Sequence, residues 1–392
     1  MIENIVPAIS GFRATRYAPG ADLASVTAPP YDVIAPDERD RLAAQHPNNI
    51  VHLTLDKELE GDTSDNNRYT RAGRTFREWR ESGVLVTEDA ERMFLYRLDF
   101  EDGGQPQSIA GIVAALKLEE LGAGGVFGHE RTIPGPKADR LSLMRATGAN
   151  LEPLWFFASE TMQGFRRIVE DLAAQDPAAD MTDPQGIRHR VWALSKDQED
   201  TVESRVAKIP LVVADGHHRY ETSLTYRDER RAADGPGPWD ATLAMITDPV
   251  EYAPAVHAIH RLVKNLPLSE VPDIQSFAGD FDDLCDHVEQ SGPGTIGVGS
   301  KEGLGTISSS GDIDTVWLAE TILEPSNRSV RYEHEMRIIT ARLAEKEETV
   351  FVMPATPVEL VAKKALEGVR LPPKTTLFSP KPRSGLLLRA FD

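Results

Sequence analysis

A short stretch near the middle of the chain, residues 211–221, reads LVVADGHHRYE and gathers several groups that could hold or move charge. Four apolar residues run into an Asp-Gly pair, and two histidines and an arginine follow. This order predicts a buried strand, a tight turn and a helix. The N–H groups of a first helical turn and the helix dipole favour an anion, and an arginine adds a bidentate donor. The stretch therefore predicts a phosphate site made of Asp215, Gly216, His217, His218 and Arg219.

The same stretch has two other interpretations. Neighbouring helical residues point in different directions, so His217 and His218 could hardly both bind one metal ion, and zinc-binding helices place His at i and i+4. One of them with Asp215 could still contact magnesium through water. A purely structural alternative makes Asp215 the helix cap and the histidines a polar surface.

A second charged segment, residues 128–140, reads GHERTIPGPKADR and concentrates titratable groups between glycines and prolines. Such density in a shaped loop indicates a candidate site, with an exposed charged loop as the alternative. Lys137 and Arg140 lie one helical turn apart, so we predict that they bind an anion together. Glu130 is a candidate general base.

Two proline-rich segments complete the candidates. In PPYDVI, residues 29–34, Asp32 could orient or deprotonate a hydroxyl group, or it could be a structural turn residue. In PPKTTLFSPKPRSG, residues 372–385, three cations cluster in a very acidic chain, as a phosphate-contacting loop or a solvated tail. We assign catalysis to Asp32, Glu130 and His218. We assign substrate binding to His129, Asp139, Asn150 and Lys381.

The elements that must position these residues indicate a mixed α/β fold. Residues 92–100 and 108–118 read as two strands joined by a glycine-rich hairpin connection at 101–107. From about 190 to 250 the order is strand, helix, strand, helix, strand. That alternation predicts at least one parallel strand pair with right-handed crossovers.

Composition limits the function classes. The chain has 392 residues and a formal net charge of −19, a field that repels nucleic acid and anionic membranes. We therefore expect neither nucleic acid nor a membrane as partner. Its one cysteine, Cys285, is expected to be an inert thiol in a helix. We see no signal peptide and no membrane-length apolar run, and expect a cytoplasmic protein. No P-loop occurs, and two glycine-rich stretches only approach the dinucleotide-binding motif.

The motifs, taken in order, resemble a known family. PPYDVI, HERT, GPKADRLSLMRATGANLEP, VADGHHRYET, HRLV and PPKTTLFSPKPRSGL occur together in bacterial and archaeal proteins grouped as domain of unknown function 1015. That family is in turn distantly similar to the ParB/sulfiredoxin superfamily of nucleotide-binding proteins, which includes ADP-dependent free-serine kinases. The resemblance implies that residues 215–219 begin a helix that holds nucleotide phosphates. Sulfiredoxin chemistry is excluded, because His217 replaces its cysteine.

The resemblance also implies an architecture and a reaction. We expect a ParB/sulfiredoxin-like nucleotide-binding core at 1–265 with a large insertion at about 56–150. Composition adds to this: residues 266–330 are richer in Gly, Ser and Asp and are expected to form a small variable α/β subdomain. A C-terminal segment at 331–392 would complete the fold. The implied activity is a nucleotide-dependent phosphotransferase acting on a small hydroxyl substrate, foremost free serine, since family members often lie near serine-biosynthesis genes.

Several alternatives remain open at this stage. The same site could serve a phosphoserine phosphatase or a non-catalytic nucleotide-binding switch. The expected cofactors are Mg²⁺ with ATP, ADP or CTP, and the expected partners are the small substrate and the nucleotide. A homodimer is compatible with the sequence, which does not determine the oligomeric state.

Overall fold

The computed structural model describes residues 7–132, 134–345 and 348–392, and these form two compact units. Within the described residues, the first unit comprises 7–128, 132–254 and 380–392, and the second comprises 129–131 and 255–379. The predicted division at 265/266 falls inside the second unit, and the predicted 331–392 segment contributes to both units. The division of the chain into 1–265, 266–330 and 331–392 remains a prediction.

The first unit contains a large sheet and helices of 4 to 18 residues. Its strands up to residue 254 are β1 Ile9–Ser10, β2 Thr15–Tyr17, β3 Leu85–Thr87, β4 Phe94–Asp102, β5 Gln105–Lys117, β6 Val126–Phe127, β7 Ala149–Asn150, β8 Leu154–Ala158, β9 Ala179–Thr182, β10 Arg188–Ala193, β11 Leu211–Asp215 and β12 Ala241–Thr247. Its helices are α1 Leu23–Val26, α2 Pro36–Gln45, α3 Val51–Thr54, α4 Arg68–Glu81, α5 Pro134–Thr147, α6 Phe165–Ala173, α7 Lys196–Val206 and α8 His217–Asp234.

The large sheet has the strand order β6-β11-β8-β12-β5-β4-β10-β9, with β1 paired to β5. The predicted hairpin is confirmed: all of β4 pairs antiparallel with residues 105–113 of β5. Their connection is tighter than predicted. Gly103 and Gly104 alone form the turn, and both have positive φ, as two-residue hairpins matching the sheet twist require.

The prediction that strands within residues 190–250 pair in parallel with one another is wrong. β10, β11 and β12 do not pair with one another; β8 lies between β11 and β12, antiparallel to the first and parallel to the second. The parallel pairs are β8 with β12 and β6 with β11. Alternating strands and helices predict parallel neighbours only when consecutive strands are adjacent, and here an earlier strand is inserted.

The core of the first unit fixes the position of helix α8. All five residues of β8 are buried, and Phe156 and Val213 share a hydrophobic cluster with Tyr220 and Leu224 of α8. Each such side chain stabilises the fold by roughly 1.5–3 kcal/mol when fully buried. These apolar side chains in the first two turns of α8 therefore hold the start of the helix against the sheet.

The second unit carries a smaller mixed structure. Its strands are β13 Ala255–His257, β14 His260–Lys264, β15 Gln275–Ser276, β16 Thr295–Ser300, β17 Gly303–Ser308, β18 Val330–Glu333, β19 Glu348–Val352 and β20 Leu377–Ser379. Its helices are α9 Phe281–Ser291, α10 Asp314–Leu318, α11 Glu324–Ser326, α12 Met336–Glu345 and α13 Val358–Leu366, with a π-helical turn at Ala319–Leu323. The last strand, β21 Arg389–Ala390, returns to the first unit and pairs with β7.

Strands β15, β17, β16, β19, β14 and β18 form the six-stranded sheet of the second unit. Cys285 lies on α9, where burial and the nearby carboxylates Asp282 and Asp286 raise the pKa of its thiol to about 11. The thiol is therefore protonated at neutral pH, as expected for an inert cysteine. No helix in 7–132, 134–345 or 348–392 is long and apolar enough to cross a membrane.

Candidate active site

The predicted strand–turn–helix forms at residues 211–234. Asp215 ends β11, and Gly216 precedes α8 with φ +100°, a region that strains any residue with a Cβ. A Cβ at Gly216 would also lie 3.1 Å from Nη2 of Arg219. The positive φ therefore favours glycine, and any larger residue would also have to displace the guanidinium group by a few tenths of an ångström.

Arg219 is the buried cation of the site, with only 8% of its surface exposed. Its Nη2 donates to Oδ2 of Asp215 at 2.6 Å, and its Nη1 donates to Oε2 of Glu152 and to the carbonyl of Pro153, both at 3.2 Å. All three acceptors belong to the protein. The predicted phosphate contact of Arg219 stays a prediction, and a ligand there would share the guanidinium with these carboxylates.

Lys381 connects the turn to a distant part of the chain. Its Nζ donates to Oδ1 of Asp215 at 2.5 Å and to Oδ2 of Asp32 at 2.6 Å. Only 10% of the Lys381 side chain is exposed, against 30% of Asp32, which lies in a 3₁₀ turn at Tyr31–Val33. One ammonium group thus joins a candidate catalytic carboxylate to the start of α8.

Glu152 is the member of this cluster that the sequence did not reveal. It is buried just before β8, its Oε2 binds Arg219, and its Oε1 accepts from the Ser384 hydroxyl at 2.6 Å and from the Tyr31 backbone N–H at 3.3 Å. Glu152 therefore ties together the three segments that supply the site. An acidic residue between Leu151 and Pro153, just before a buried strand, is a signal that could have identified it.

Burial and charge act in opposite directions on this cluster. Burial alone would raise the pKa of Asp215, but Lys381 and Arg219 outweigh it and hold that pKa well below its usual range. Burial alone would lower the pKa values of Lys381 and Arg219. Asp215 is the main opposing charge, and both pKa values lie above their ordinary range. All three groups are therefore ionised at neutral pH.

Lys137 and Arg140 of α5 both form ion pairs, and their predicted joint binding of an anion stays a prediction. Lys137 Nζ binds Oε2 of Glu221 on α8 at 2.8 Å. Arg140 is buried; its Nε donates to Oδ2 of Asp139 at 2.6 Å and its guanidinium lies 3.9 Å from the centre of the Tyr31 ring. Asp139 itself accepts from Arg68 and Tyr69. Arg140 therefore contacts the turn that carries Asp32. Lys137 instead pairs with Glu221, which lies one helical turn after the start of α8.

Asn150 is buried in the framework of the first unit. Its Oδ1 accepts from the backbone N–H of Leu243 at 3.0 Å and lies 3.5 Å from Nη1 of Arg389. These bonds join β7, β12 and β21. Asn150 also lines the cavity described next, and its predicted contact with a substrate stays a prediction.

A cavity lies between α5 and α8, beside the Arg219–Glu152 pair. Its void volume is about 430 Å³, part of it open to solvent. The exposed surface of its lining is largely apolar, and its charged groups are Arg140, Glu152 and Arg219. The complete lining is Thr54, Arg140, Leu143, Met144, Ala149, Asn150, Leu151, Glu152, Leu154, Arg219, Thr222 and Ser223. An apolar hollow with a few convergent polar groups is the usual form of a small-ligand pocket.

The remaining candidates divide between the units. His129 and Glu130 belong to the second unit, where His129 Nε2 lies 3.0 Å from Oγ1 of Thr376 and Glu130 forms a parallel bridge with Leu371. His217 is buried and His218 is half-buried in the first turn of α8. The catalytic roles of His218 and Glu130 stay predictions.

The three cations predicted to cluster near the C-terminus are distributed differently. Lys381 reaches the site, and Arg383 is enclosed in the first unit, where it contacts Asp183 and Thr27. Lys374 belongs to the second unit, and its carbonyl accepts from Arg261. Within 7–132, 134–345 and 348–392, no three His, Cys, Asp or Glu residues are grouped as metal ligands.

Comparisons with solved structures find distant likenesses. A variant of a free serine kinase in complex with ADP matches with a TM-score of 0.39 and 12% identity, covering 67% of this chain and 89% of that one. A free serine kinase in complex with AMP gives 0.38 and 13%, covering 67% and 88%. SbnI with a C-terminal truncation, from Staphylococcus aureus, gives 0.41 and 9%, covering 71% and 87%. At these scores the likenesses carry no functional argument.

A search of curated proteins finds no match. A family model described as "Protein of unknown function (DUF1015)" matches residues 9–360, which is most of the chain. It includes the turns that carry Asp32 and Asp215, and it ends before Lys381. The chain therefore belongs to the DUF1015 family.

Proposed function

We propose that this protein is a nucleotide-dependent phosphotransferase that acts on the hydroxyl group of a small substrate at the start of helix α8. The observation that carries the proposal is the joining of Asp32, Lys381 and Asp215 at that helix start. The positive end of an 18-residue helix and two cations favour phosphate oxygens there. Phosphoryl transfer needs mainly positioning and charge neutralisation, which such a cluster supplies.

Lys381 is the group through which phosphate would enter the cluster. Three carboxyl groups (Asp32, Asp215 and Glu152) share two cations, so an incoming phosphate must compete for a donor. Asp32 is the more exposed partner of Lys381, and its bond is the easier one to exchange. We expect Lys381 to replace Asp32 with a phosphate oxygen while it keeps its bond to Asp215.

That exchange would make Asp32 available as the general base. In the proposed step, the substrate hydroxyl oxygen forms a bond to the terminal phosphorus, and the bond from that phosphorus to the bridging oxygen breaks. The hydroxyl proton passes to the Asp32 carboxylate, and the shortened nucleotide leaves with the bridging oxygen. Lys381 neutralises charge that develops on the phosphate oxygens.

Mg²⁺ fits this proposal as a companion of the nucleotide. The described residues offer no complete metal cage, and Mg²⁺ characteristically keeps several waters and uses one or two carboxylates with substrate phosphates. Asp215 would contact such an ion through water, which leaves Asp32 to act as the base. The ion would neutralise phosphate charge and orient the transferred group.

Free serine is the substrate that we propose, with ATP, ADP or CTP as phosphoryl donor. The cavity between α5 and α8 supports a small amphipathic ligand, because Arg219 and Glu152 lie at its wall among apolar side chains. A carboxylate and an amine on one small molecule complement that pair of charges. A homodimer and a cytoplasmic location also remain proposals.

The test is a transfer assay. Purified protein is incubated with serine and Mg²⁺ plus ATP, ADP or CTP, and phosphoserine, nucleotide and free phosphate are followed by chromatography and ³¹P NMR. We expect phosphoserine to form with at least one nucleotide, and to be lost in Lys381→Met. Phosphate released from phosphoserine without nucleotide would indicate a phosphatase instead. Nucleotide binding without turnover would indicate a switch, and either result would refute the kinase proposal.

A further inference from the structure

A second polar cluster, fully enclosed in the first unit, surrounds Arg383. We call it the anchoring network and define it as Thr27, Tyr96, Asp183, His189 and Arg383, all of which are buried. It lies outside the cluster proposed for catalysis, and Arg383 is only two residues from Lys381. The network comes from four separate parts of the chain, including strands β4 and β10.

The network holds both the backbone and the side chain of Arg383. The Arg383 backbone N–H donates to the Tyr96 hydroxyl at 2.9 Å. Its Nε donates to Oγ1 of Thr27 at 2.8 Å, and Nη2 donates to the Thr27 carbonyl at 3.1 Å. Nη1 lies 3.4 Å from Oδ2 of Asp183. The loop that carries Lys381 is therefore fixed at Arg383 by four bonds among buried groups.

The protons of this network can be placed by following donors and acceptors. Because the Tyr96 oxygen accepts from Arg383, its proton is free to go to Nδ1 of His189, 2.8 Å away. The ring proton of His189 is then on Nε2, which faces Oδ2 of Asp183 at 3.2 Å. Burial lowers the pKa of His189, although Asp183 opposes the shift, so the ring is neutral as this order requires.

Ser384 extends the same loop to the other side of the site. Its backbone pairs with Ala28 in both directions, at 2.9 and 3.2 Å, and its hydroxyl donates to Glu152 at 2.6 Å. Arg383 thus lies between two residues that contact the catalytic cluster, and it contacts none of that cluster itself.

We infer that Tyr96, His189 and Arg383 are positioning residues, which hold Lys381 between Asp32 and Asp215 through the fixed backbone of residues 381–384. Lys381 has a long, flexible side chain, and holding one rotamer between two carboxylates is entropically costly. A backbone anchored two residues away reduces the volume that its amine can sample. The inference rests on the proposed function only for its effect on turnover, because the placement of Lys381 can be measured by itself.

The test is chemical labelling of Lys381 in the full-length protein. Wild type and Tyr96→Phe are acetylated with limiting acetic anhydride at pH 8, and the rate at each lysine is read by peptide mass spectrometry. Lys196, whose side chain is 75% exposed, is the internal reference for reagent. We expect Lys381 to be strongly protected in wild type and to react about tenfold or more faster in Tyr96→Phe, because the Arg383 N–H loses its acceptor and the loop opens more often.

A matched control separates positioning from general destabilisation. Thr349→Val removes a buried hydroxyl that donates to the Leu266 carbonyl in the second unit, so it should lower stability without changing the labelling of Lys381. Thr27→Val, which removes an Arg383 acceptor by an isosteric change, is the second test variant and should also increase labelling. If Lys381 stays as protected in Tyr96→Phe and Thr27→Val as in wild type, the inference is wrong.

Turnover gives a separate readout. If wild type makes phosphoserine, Tyr96→Phe should lower kcat about tenfold with little change in KM for serine, because the amine is misplaced while the pocket is intact. An unchanged kcat in a variant whose Lys381 labelling has increased would contradict the catalytic part of the inference. Increased labelling in a protein that transfers no phosphate would refute the proposed function and leave the anchoring result standing.

Discussion

Two polar clusters in the first unit take residues from the same C-terminal loop and differ in composition. Lys381 belongs to the first cluster, and Arg383, two residues later, belongs to the second. The cluster at the start of α8 joins three carboxyl groups to two cations, and its Asp32 is partly exposed. The anchoring network mixes neutral and charged groups, and every member is enclosed. Charges placed beside solvent can exchange partners with a ligand, whereas an enclosed network can only hold its shape. The difference separates the part of the loop proposed to react from the part proposed to position it.

Asp32→Asn gives the largest effect that the comparison predicts. If the exposed carboxylate is the base, the variant should lose about 10²- to 10⁴-fold in phosphoryl transfer and keep its fold. Its nucleotide affinity should equal or exceed that of wild type, because Asp32 no longer competes with phosphate for Lys381. The readouts are kcat and the nucleotide Kd. Asp37→Asn changes an exposed carboxylate on the next helix and serves as control. Activity within tenfold of wild type in Asp32→Asn would remove Asp32 from the mechanism.

Arg219→Gln should give the largest loss of stability. It leaves Asp215 and Glu152 buried beside each other with one fewer cation, and breaking such a pair costs about 3–5 kcal/mol. Urea unfolding measures the change. Arg231→Gln, on the same helix, removes an exposed ion pair with Asp240 and should change stability little. Equal losses of unfolding free energy in both variants would mean that burial does not increase the contribution of the Arg219 ion pairs to stability.

Gly216→Ala tests how much the geometry of the turn contributes to stability and to nucleotide binding. At φ +100° a Cβ costs about 1–2 kcal/mol, and here it also presses on the Arg219 guanidinium, so both stability and nucleotide affinity should fall. Gly235→Ala is the matched control, since its φ is +80° but no atom lies within 4 Å of the added Cβ. It should lose stability alone. A loss of nucleotide affinity in both variants would show that backbone strain, not the contact with Arg219, is responsible.

Acid titration gives the smallest and most graded effect. The folded pKa of Asp215 is depressed, so its contribution to stability is present above the unfolded value near 3.8 and is lost as pH falls through the lower folded value. One such group changes stability by at most about 1.4 kcal/mol per pH unit. The difference in unfolding free energy between wild type and Lys381→Met should therefore be largest near pH 6 and shrink below pH 4. A difference that is constant from pH 6 to pH 3 would contradict the coupling.

The local elements of the fold could be predicted from the sequence because their signals are local. The apolar run of β11, the Asp-Gly turn and the start of α8 lie within a dozen residues, and the structure has them where predicted. The order of strands in the sheet could not be predicted in the same way. The insertion of β8 between β11 and β12 is a long-range packing choice that no periodicity records.

The sequence indicated which residues were candidates for the site, but it did not indicate which of them contact one another. Asp215, Asp32 and Lys381 stood out by their motifs, but Lys381 lies 349 residues from Asp32, and nothing local indicates that they meet. Glu152 was not predicted, because a lone acidic residue before a buried strand is a weak local signal with no motif around it. Arg140 was expected to grip an anion, and the structure engages it with Asp139 and Tyr31, whose approach depends on how α5 packs.

The most direct test of the central claim is a calorimetric titration of ATP, ADP and CTP into wild type, Lys381→Met and Lys208→Met. Lys208 is an exposed lysine of the first unit and controls for loss of charge. We expect wild type and Lys208→Met to bind at least one nucleotide equally well, and Lys381→Met to bind it about tenfold or more weakly. Equal affinity in all three proteins, or no binding to wild type at millimolar nucleotide, would contradict this expectation.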